Sequence, residues 1–145
     1  ARYLGIQLQS SKTFLIDLSY CKAKFYRAFN GLFHRLAKLR NELTTLHLVS
    51  SYCKPHLLYA TECFALSATQ MRTLQHTWQC AVSHIFNVSG ANVNFICAQT
   101  DKFSLDVIIM NRREHFLRNM FRLNEHHVVL RNLLWLFRQH ELYRQ

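Results

Sequence analysis

The clearest hydrophobic pattern in the chain begins after Asp17 and repeats at steps of three and four residues. At 100° per residue its members form one stripe about 80° wide, which is typical of an amphipathic helix with one side in a core. Asp17 is a favoured N-cap residue, so we expect the helix to begin there. Seven residues make up the stripe: Leu18, Cys21, Phe25, Phe29, Leu32, Leu36 and Leu39.

Four later segments also show helical spacing: residues 43 to 66, 67 to 86, 104 to 123 and 128 to 143. The first of them contains Pro55, which lacks an N–H and clashes with the preceding turn, so a break is expected near residues 53 to 55. Residues 87 to 101 hold Gly90 and several Asn residues, which predicts a long loop.

At the start of the chain the hydrophobic residues recur at every second position, and not at helical spacing. Within residues 2 to 9, apolar and polar side chains alternate from Leu4 onward apart from Gly5, as in a half-buried strand. A polar turn follows, and then a β-branched and aromatic segment at residues 13 to 16, which together predict a hairpin. The predicted fold class is therefore mainly α, with an N-terminal β-hairpin over residues 1–16 followed by a bundle of about five helices.

Positive charge is concentrated near the start of the chain. The whole sequence has 18 Lys and Arg against 8 Asp and Glu, a formal net charge of +10, and the first forty residues hold eight of the cations but only one anion, Asp17. A polyanion is the natural partner of such a surface. On the first predicted helix, five side chains fall opposite the apolar stripe: Lys24, Arg27, His34, Arg35 and Lys38.

Two interpretations of this basic side remain open. Lys and Arg three, four or seven residues apart can follow phosphates along a groove whatever the base sequence, and Tyr26 beside them is a candidate for stacking on a base or ribose. The alternative is the solvated outer face of an ordinary amphipathic helix. The helix alone favours neither, whereas the clustering of charge favours a nucleic-acid partner.

Polymerase, hydrolase and metal-enzyme chemistry find no support in the sequence. No two of the eight acidic residues are adjacent, so the paired aspartates that hold two Mg²⁺ ions in polymerases are absent. Gly-rich phosphate loops, nucleophile elbows and the His-Glu-x-x-His motif are absent too. His126 and His127 would face different ways on a helix, with no further Cys or His within four residues. We predict no catalytic residue and no metal site.

The five cysteines indicate the redox environment. They are odd in number, widely spread and contain no Cys-x-x-Cys pair, so we expect reduced, buried thiols and an intracellular protein, cytoplasmic and/or nuclear. The first residues lack both Met and the features of a signal peptide, which predicts a cut end. The sequence has no apolar run of 18 residues, so no membrane span is expected.

Two short motifs carry a family resemblance. The first is Tyr3-Leu4-Gly5-Ile6, and the second runs from Tyr52 to Glu62 as YCKPHLLYATE. In this order and spacing they resemble the region after the palm in reverse transcriptases of LINE-type (non-LTR) retrotransposons. In that family a Tyr-Leu-Gly strand belongs to the primer grip, and a Pro-x-Leu-x-Tyr-Gly-x-Glu segment lies in the thumb. Ala60 stands where the family commonly has Gly, a change that a helix is expected to tolerate or prefer.

The resemblance implies a division of the chain. Residues 1-16 would be a primer-grip-like hairpin, residues 17-90 a thumb-like helical bundle, and residues 91-145 connecting helices. The resemblance further implies that the primer-grip motif places the primer strand and that the first helix meets the template–primer backbone. The implied nucleic-acid-binding residues are Tyr3, Leu4, Gly5, Ile6, Lys24, Arg27, Arg35 and Lys38.

The same resemblance limits the expected activity. The palm motifs, including the Phe/Tyr-Ala-Asp-Asp loop, are absent, so the chain is expected to be a non-catalytic piece of an RNA-directed DNA polymerase. Its partners would be an RNA template, a DNA primer and the palm and fingers of the parent, and Mg²⁺ would be the cofactor of that parent. The alternatives are a free-standing helical module that binds nucleic acid or protein, and an inactive transposon remnant.

Overall fold

A computed structural model describes residues 2–3, 6–9, 15–36, 41–64, 66–100, 104–123 and 132. Helices dominate this part of the chain, so the predicted mainly α class is confirmed. The strands are β1 (Arg2–Tyr3), β2 (Ile6–Gln9) and β3 (Leu15–Asp17). The helices are α1 (Ser19–Leu36), α2 (Glu42–Tyr52), α3 (Lys54–Leu57), a 3₁₀ turn (Thr61–Cys63), α4 (Ala68–Phe86), α5 (Ala91–Thr100) and α6 (Leu105–Leu123).

The three short strands pair antiparallel in the order β1-β2-β3. Tyr3 lies opposite Ile6, so the segment predicted as one strand over residues 2 to 9 is divided into β1 and β2. Strand β2 pairs with β3 through partners that include Gln9 and Leu15. The loop of the predicted hairpin falls outside the described residues, so that hairpin stays a prediction.

Asp17 lies two residues before helix α1. Its carboxylate accepts a hydrogen bond from the Ser19 N–H at 2.8 Å, which satisfies one of the donors that the first turn of a helix leaves unpaired. Hydrogen bonds from the Ser19 side chain and then its N–H lower the pKa of Asp17. The predicted position is off by one residue, because α1 begins at Ser19 and the Leu18 carbonyl accepts its first backbone bond, but the Asp17 side chain does cap the first turn.

Replacing Asp17 with alanine is expected to lower the free energy of unfolding by about 1 kcal/mol at pH 7, since the cap is removed. Because the folded pKa lies below the ordinary value of 3.8, this contribution is present above that value and disappears as pH falls through the folded pKa. Urea unfolding at pH 7 and below pH 3.8 measures both effects. Asp17→Asn is the control: it keeps a good cap, so a loss equal to that of alanine would contradict the capping role.

The break at Pro55 is confirmed. Helix α2 ends at Tyr52, and α3 begins at Lys54 with Pro55 in its first turn, where the missing N–H has no intrahelical partner to lose. Asn41 begins α2, because its side chain accepts a hydrogen bond from the Thr44 N–H at 2.9 Å.

Helix α4 begins with a capping box. The Ser67 hydroxyl accepts from the Gln70 N–H, and the Gln70 side chain accepts from the Ser67 N–H in return. The helix ends at Phe86, and its C-cap residue Asn87 has a left-handed φ of 51°.

The long loop predicted over residues 87 to 101 was wrong, because α5 occupies residues Ala91–Thr100. The turn is confined to the residues between α4 and α5, where Asn87 and Gly90 both have positive φ. Helix α5 buries Val93 against the core and exposes Asn92 and Asn94. Val93 is its one fully buried residue, so the sequence has no repeating apolar pattern from which a helix could be predicted. Helix α5 packs on α4.

The core lies between α1, α2, α3 and α4, with α6 completing one side. The apolar stripe of α1 supplies Phe25 and Phe29, whose rings stack at 6.0 Å between centroids. Phe25 also meets Trp78 of α4 edge-on at 6.4 Å. Lys54 is enclosed in this core with its Nζ 4.3 Å from the centre of the Trp78 ring, a cation–π contact.

None of the five cysteines, all of which lie among the described residues, forms a disulfide bond. Cys21 and Cys53 are buried as expected, and burial raises the pKa of both. Cys63 is exposed, however, so the expectation of buried thiols was wrong at that position.

Ala60 corrects another expectation. It lies between α3 and the 3₁₀ turn with φ 59° and ψ 10°, the left-handed conformation, and not inside a helix. That conformation costs a residue with a Cβ about 1 to 2 kcal/mol, whereas glycine adopts it freely. The prediction that alanine is tolerated or preferred here was therefore wrong.

Ala60→Gly is expected to raise the free energy of unfolding by about 0.5 to 1 kcal/mol, because relief of the left-handed strain exceeds the added entropy of the unfolded chain. Denaturant unfolding monitored by circular dichroism measures the change. The matched control is Ala23→Gly at an exposed position inside α1, where the same substitution should cost about 1 kcal/mol. Changes of the same sign in both variants would contradict the assignment.

Candidate nucleic-acid interface

The predicted basic side of α1 is exposed. Lys24, Arg27 and Arg35 all have exposed side chains, and so does His34 on the same side. Lys38 lies outside the described residues. At 100° per residue the three described cations fall within about 80° of one another, on the side of the helix opposite the buried Phe25 and Phe29. We call Lys24, Arg27 and Arg35 the basic face.

The middle of the basic face is open. Gly31 lies midway between Arg27 and Arg35, and a Cβ placed on it would meet no atom within 4 Å. The core lies on the opposite, apolar side of α1, and no other element of the described part of the chain comes within 4 Å of this position. The face is therefore sterically accessible to a large partner.

The basic face is also electrostatically uniform. Helix α1 contains no Asp or Glu, so no acid within the helix offsets the three cations. Two ion pairs of the described residues lie elsewhere, joining Arg112 to Glu62 at 3.1 Å and Arg118 to Glu114 at 2.6 Å. Like charges along one open helix face repel one another, and a polyanion relieves that repulsion.

Two tyrosines extend the basic face at one end. The Nζ of Lys24 lies 4.7 Å from the centre of the Tyr20 ring and 6.0 Å from the centre of the Tyr59 ring. Tyr20 precedes Lys24 by one helical turn, while Tyr59 arrives from the segment after α3. Neither tyrosine was predicted from the sequence. The four-residue spacing of Tyr20 and Lys24 was a visible signal, whereas the approach of Tyr59 depends on the tertiary fold.

Tyr26 lies beside the basic face and 37% of it is exposed, so its stacking role stays a prediction. Its ring meets the ring of buried Phe25 edge-on at 5.4 Å between centroids. Burial raises the pKa of Tyr26, and a hydrogen bond with the side chain of Thr77 on α4 opposes that rise. Tyr26 thus also contributes to the contact between α1 and α4.

The primer-grip motif is described only in part. Tyr3 and Ile6 are paired residues of β1 and β2, separated by Leu4 and Gly5, which lie outside the described residues. The side chains of Tyr3 and Ile6 also fall outside the described part. The role of this motif in placing a primer stays a prediction.

A second surface feature is a groove of about 600 Å³ between α4, α5 and the start of α6. Arg72, Trp78 and Cys97 contribute to its walls, and a hydrogen bond of 2.8 Å from Gln79 to Asn94 links α4 with α5 beside it. Its side chains do not form a pair of nucleophile and base, and one arginine gives it much less charge than the basic face. The basic face is the stronger candidate for a binding site.

Metal ligands do not converge in the described ranges 17–36, 41–64, 66–100 and 104–122, where no three His, Cys, Asp or Glu side chains lie close enough to hold an ion together. His126 and His127 lie outside those ranges. Within the same ranges, no helix combines the length and apolar character needed to cross a membrane.

Comparison with protein-family models, with curated proteins and with solved structures gives no match to this chain.

Proposed function

We propose that this chain is the template–primer-gripping region of a LINE-type (non-LTR) reverse transcriptase, a non-catalytic piece of an RNA-directed DNA polymerase. The observation that carries the proposal is the open basic face of α1. Its three exposed cations lie on a helix without acidic residues, and nothing among the described residues covers its centre. Such a surface suits the phosphate backbone of a duplex, which presents regularly spaced negative charge.

The backbone at Ala60 gives separate support to the family assignment. Ala60 stands where the family commonly has Gly, and its φ of 59° belongs to the region that glycine adopts without strain. A glycine preference at this position thus has a physical reason in the fold of this chain. Glu62, the last residue of the same motif, pairs with Arg112 and ties the 3₁₀ turn to α6.

The proposed division of labour follows from the two sides of α1. Its apolar side is fixed by the core, so the cations on the other side are presented from a rigid element. Arg27 and Arg35 are about 12 Å apart along the axis at 1.5 Å per residue, which lets them contact separate phosphates. Contacts to phosphate position a duplex without selecting its base sequence, as a polymerase requires of its grip.

The remaining components belong to the parent protein. The palm and fingers of the parent would supply the carboxylates and Mg²⁺ for phosphodiester synthesis, and Tyr3 to Ile6 would approach the primer end. The RNA template and the DNA primer would lie across Lys24, Arg27, Arg35 and Lys38. An intracellular site of action, cytoplasmic and/or nuclear, follows from these partners.

A binding titration of the whole chain with an RNA–DNA hybrid tests the proposal. The logarithm of the affinity should fall linearly with the logarithm of salt concentration, with a slope of about 3 or more, because each phosphate contact contributes about 0.9. An affinity that does not change with salt would contradict a backbone grip.

The family assignment has its own test in the parent reading frame. A paired Asp-Asp loop should lie within about 100 residues upstream, one domain length. A native protein that begins at Ala1 would contradict the assignment but would leave the duplex-binding proposal standing.

One observation favours a protein-interaction module as the alternative. Helix α6 exposes Met110, Leu117 and Phe121, which at 100° per residue share one side of the helix. Apolar side chains gathered on one side of a helix are typical of surfaces that bind a partner helix. If Met110→Ser and Phe121→Ser leave the salt-dependent binding of the hybrid unchanged, the apolar side of α6 takes no part in that binding.

A further inference from the structure

We infer that Tyr20, Lys24 and Tyr59 form a stacking site for one unpaired nucleotide at the end of the duplex. This inference rests on the proposed function, because it assumes that the basic face holds the duplex. It adds a feature that the basic face does not have, namely a preference for a duplex end with an unpaired base. We call the three residues the tyrosine–lysine cluster.

The position of the cluster indicates an end and not the middle of the duplex. Along the axis of α1, Tyr20, Lys24, Arg27 and Arg35 follow one another over about 23 Å at 1.5 Å per residue. The aromatic residues are therefore at one end of the row of cations. Tyr59, from the segment after α3, lies on that end beside Lys24. A strand that follows the cations would leave the basic face across these rings.

The tyrosine–lysine cluster has one chemical group for the base of a nucleotide and another for its phosphate. Tyr59 is 50% exposed as a residue and is more open than the half-buried Tyr20, so Tyr59 is the tyrosine that a base would approach. The Lys24 ammonium is close to both rings and exposed, so it is placed to meet the phosphate of a nucleotide whose base stacks on tyrosine. Every base has an aromatic face, so such a site would accept an overhang of any sequence.

A purely structural role makes a different prediction. If the cation–π contacts of Lys24 serve only to hold the segment after α3 against α1, then the tyrosines affect stability and leave duplex ends indistinguishable. Stacking of one base instead contributes about tenfold in affinity, toward the lower end of the range for aromatic stacking. The two roles are therefore separated by the choice of nucleic acid, without relying on a mutation.

The experiment compares three RNA–DNA hybrids by fluorescence anisotropy with the unaltered chain. One hybrid is blunt, one carries a single unpaired nucleotide, and one carries the same overhang without its base. We expect the base-bearing overhang to bind about tenfold more tightly than the abasic one, which has the same phosphate charge. Equal affinity for the base-bearing and abasic overhangs would overturn the inference.

Substitutions then assign the effect to the cluster. Tyr59→Leu should abolish the preference while leaving the salt slope unchanged, and Tyr59→Phe should keep the preference because the ring remains. Tyr52→Leu, at an exposed tyrosine of α2, is the matched control and should keep it as well. A preference that persists in Tyr59→Leu would overturn the assignment to Tyr59, whereas failure of the unaltered chain to bind any hybrid in a salt-dependent manner would defeat the proposed function itself.

Discussion

Replacing Phe25 with alanine is expected to lower the free energy of unfolding by about 3 to 5 kcal/mol. The side chain has an exposed fraction of 0% and contributes to the core from the apolar side of α1. Its ring stacks on Phe29 and meets Trp78 of α4 edge-on, so alanine would leave a cavity beside these two aromatic neighbours. The substitution would also weaken the attachment of the helix that carries the basic face.

Chemical denaturation followed by far-ultraviolet circular dichroism measures this decrease. The control is Phe95→Ala, the same substitution at a side chain that is 66% exposed, and its cost should stay within about 0.5 kcal/mol. Similar costs for the two variants would show that Phe25 is not enclosed by the fold described here.

Changing Lys24, Arg27 and Arg35 together to alanine is expected to flatten the salt dependence of hybrid binding by about 3 in slope, since each of the three cations would otherwise neutralise one phosphate. The ratio of the hybrid affinity of the unaltered chain to that of the variant should therefore rise steeply as the salt concentration falls. With about 0.9 of slope per neutralised phosphate, this affinity ratio would rise about 40-fold as salt is lowered from about 200 to about 50 mM. Exposed cations on a helix face contribute little to folding, so the variant should unfold at nearly the same denaturant concentration.

A second triple variant separates the basic face from total charge. Changing Arg72, Arg118 and Arg122 to alanine removes the same formal charge from exposed positions on α4 and α6. Its slope should change much less, because counterion release requires direct contact with phosphate. If both triple variants flatten the slope equally, the charge acts without a defined face and the proposed grip is wrong.

Local signals in the sequence were sufficient for the helices that define the site. The stripe around Phe25 predicted α1 and its buried side, since seven apolar residues at helical spacing have no competing interpretation. Pro55 predicted the break between α2 and α3 because its effect on the preceding turn is purely local. The exposure of Lys24, Arg27 and Arg35 followed from the same helical geometry.

Features that depend on the tertiary fold could not be predicted in this way. Helix α5 has little apolar periodicity and packs on α4, a contact that the local sequence does not show. The left-handed backbone at Ala60 arises where α3 passes into the 3₁₀ turn, and alanine gives no sign of it. Tyr59 reaches Lys24 from a segment 35 residues later in the chain, a distance that local periodicity does not span.

The reactivity of the buried Lys54 side chain can report how often the core opens in the folded protein. Its ammonium lies over the Trp78 ring, and only 6% of the residue is exposed. An amine-reactive reagent should therefore modify this lysine only in molecules whose core has transiently opened, while the exposed Lys24 is accessible to the reagent in the folded molecule. The ratio of the two rates, followed by mass spectrometry, would give the opening equilibrium of α3 against α4 under native conditions, with and without a bound hybrid.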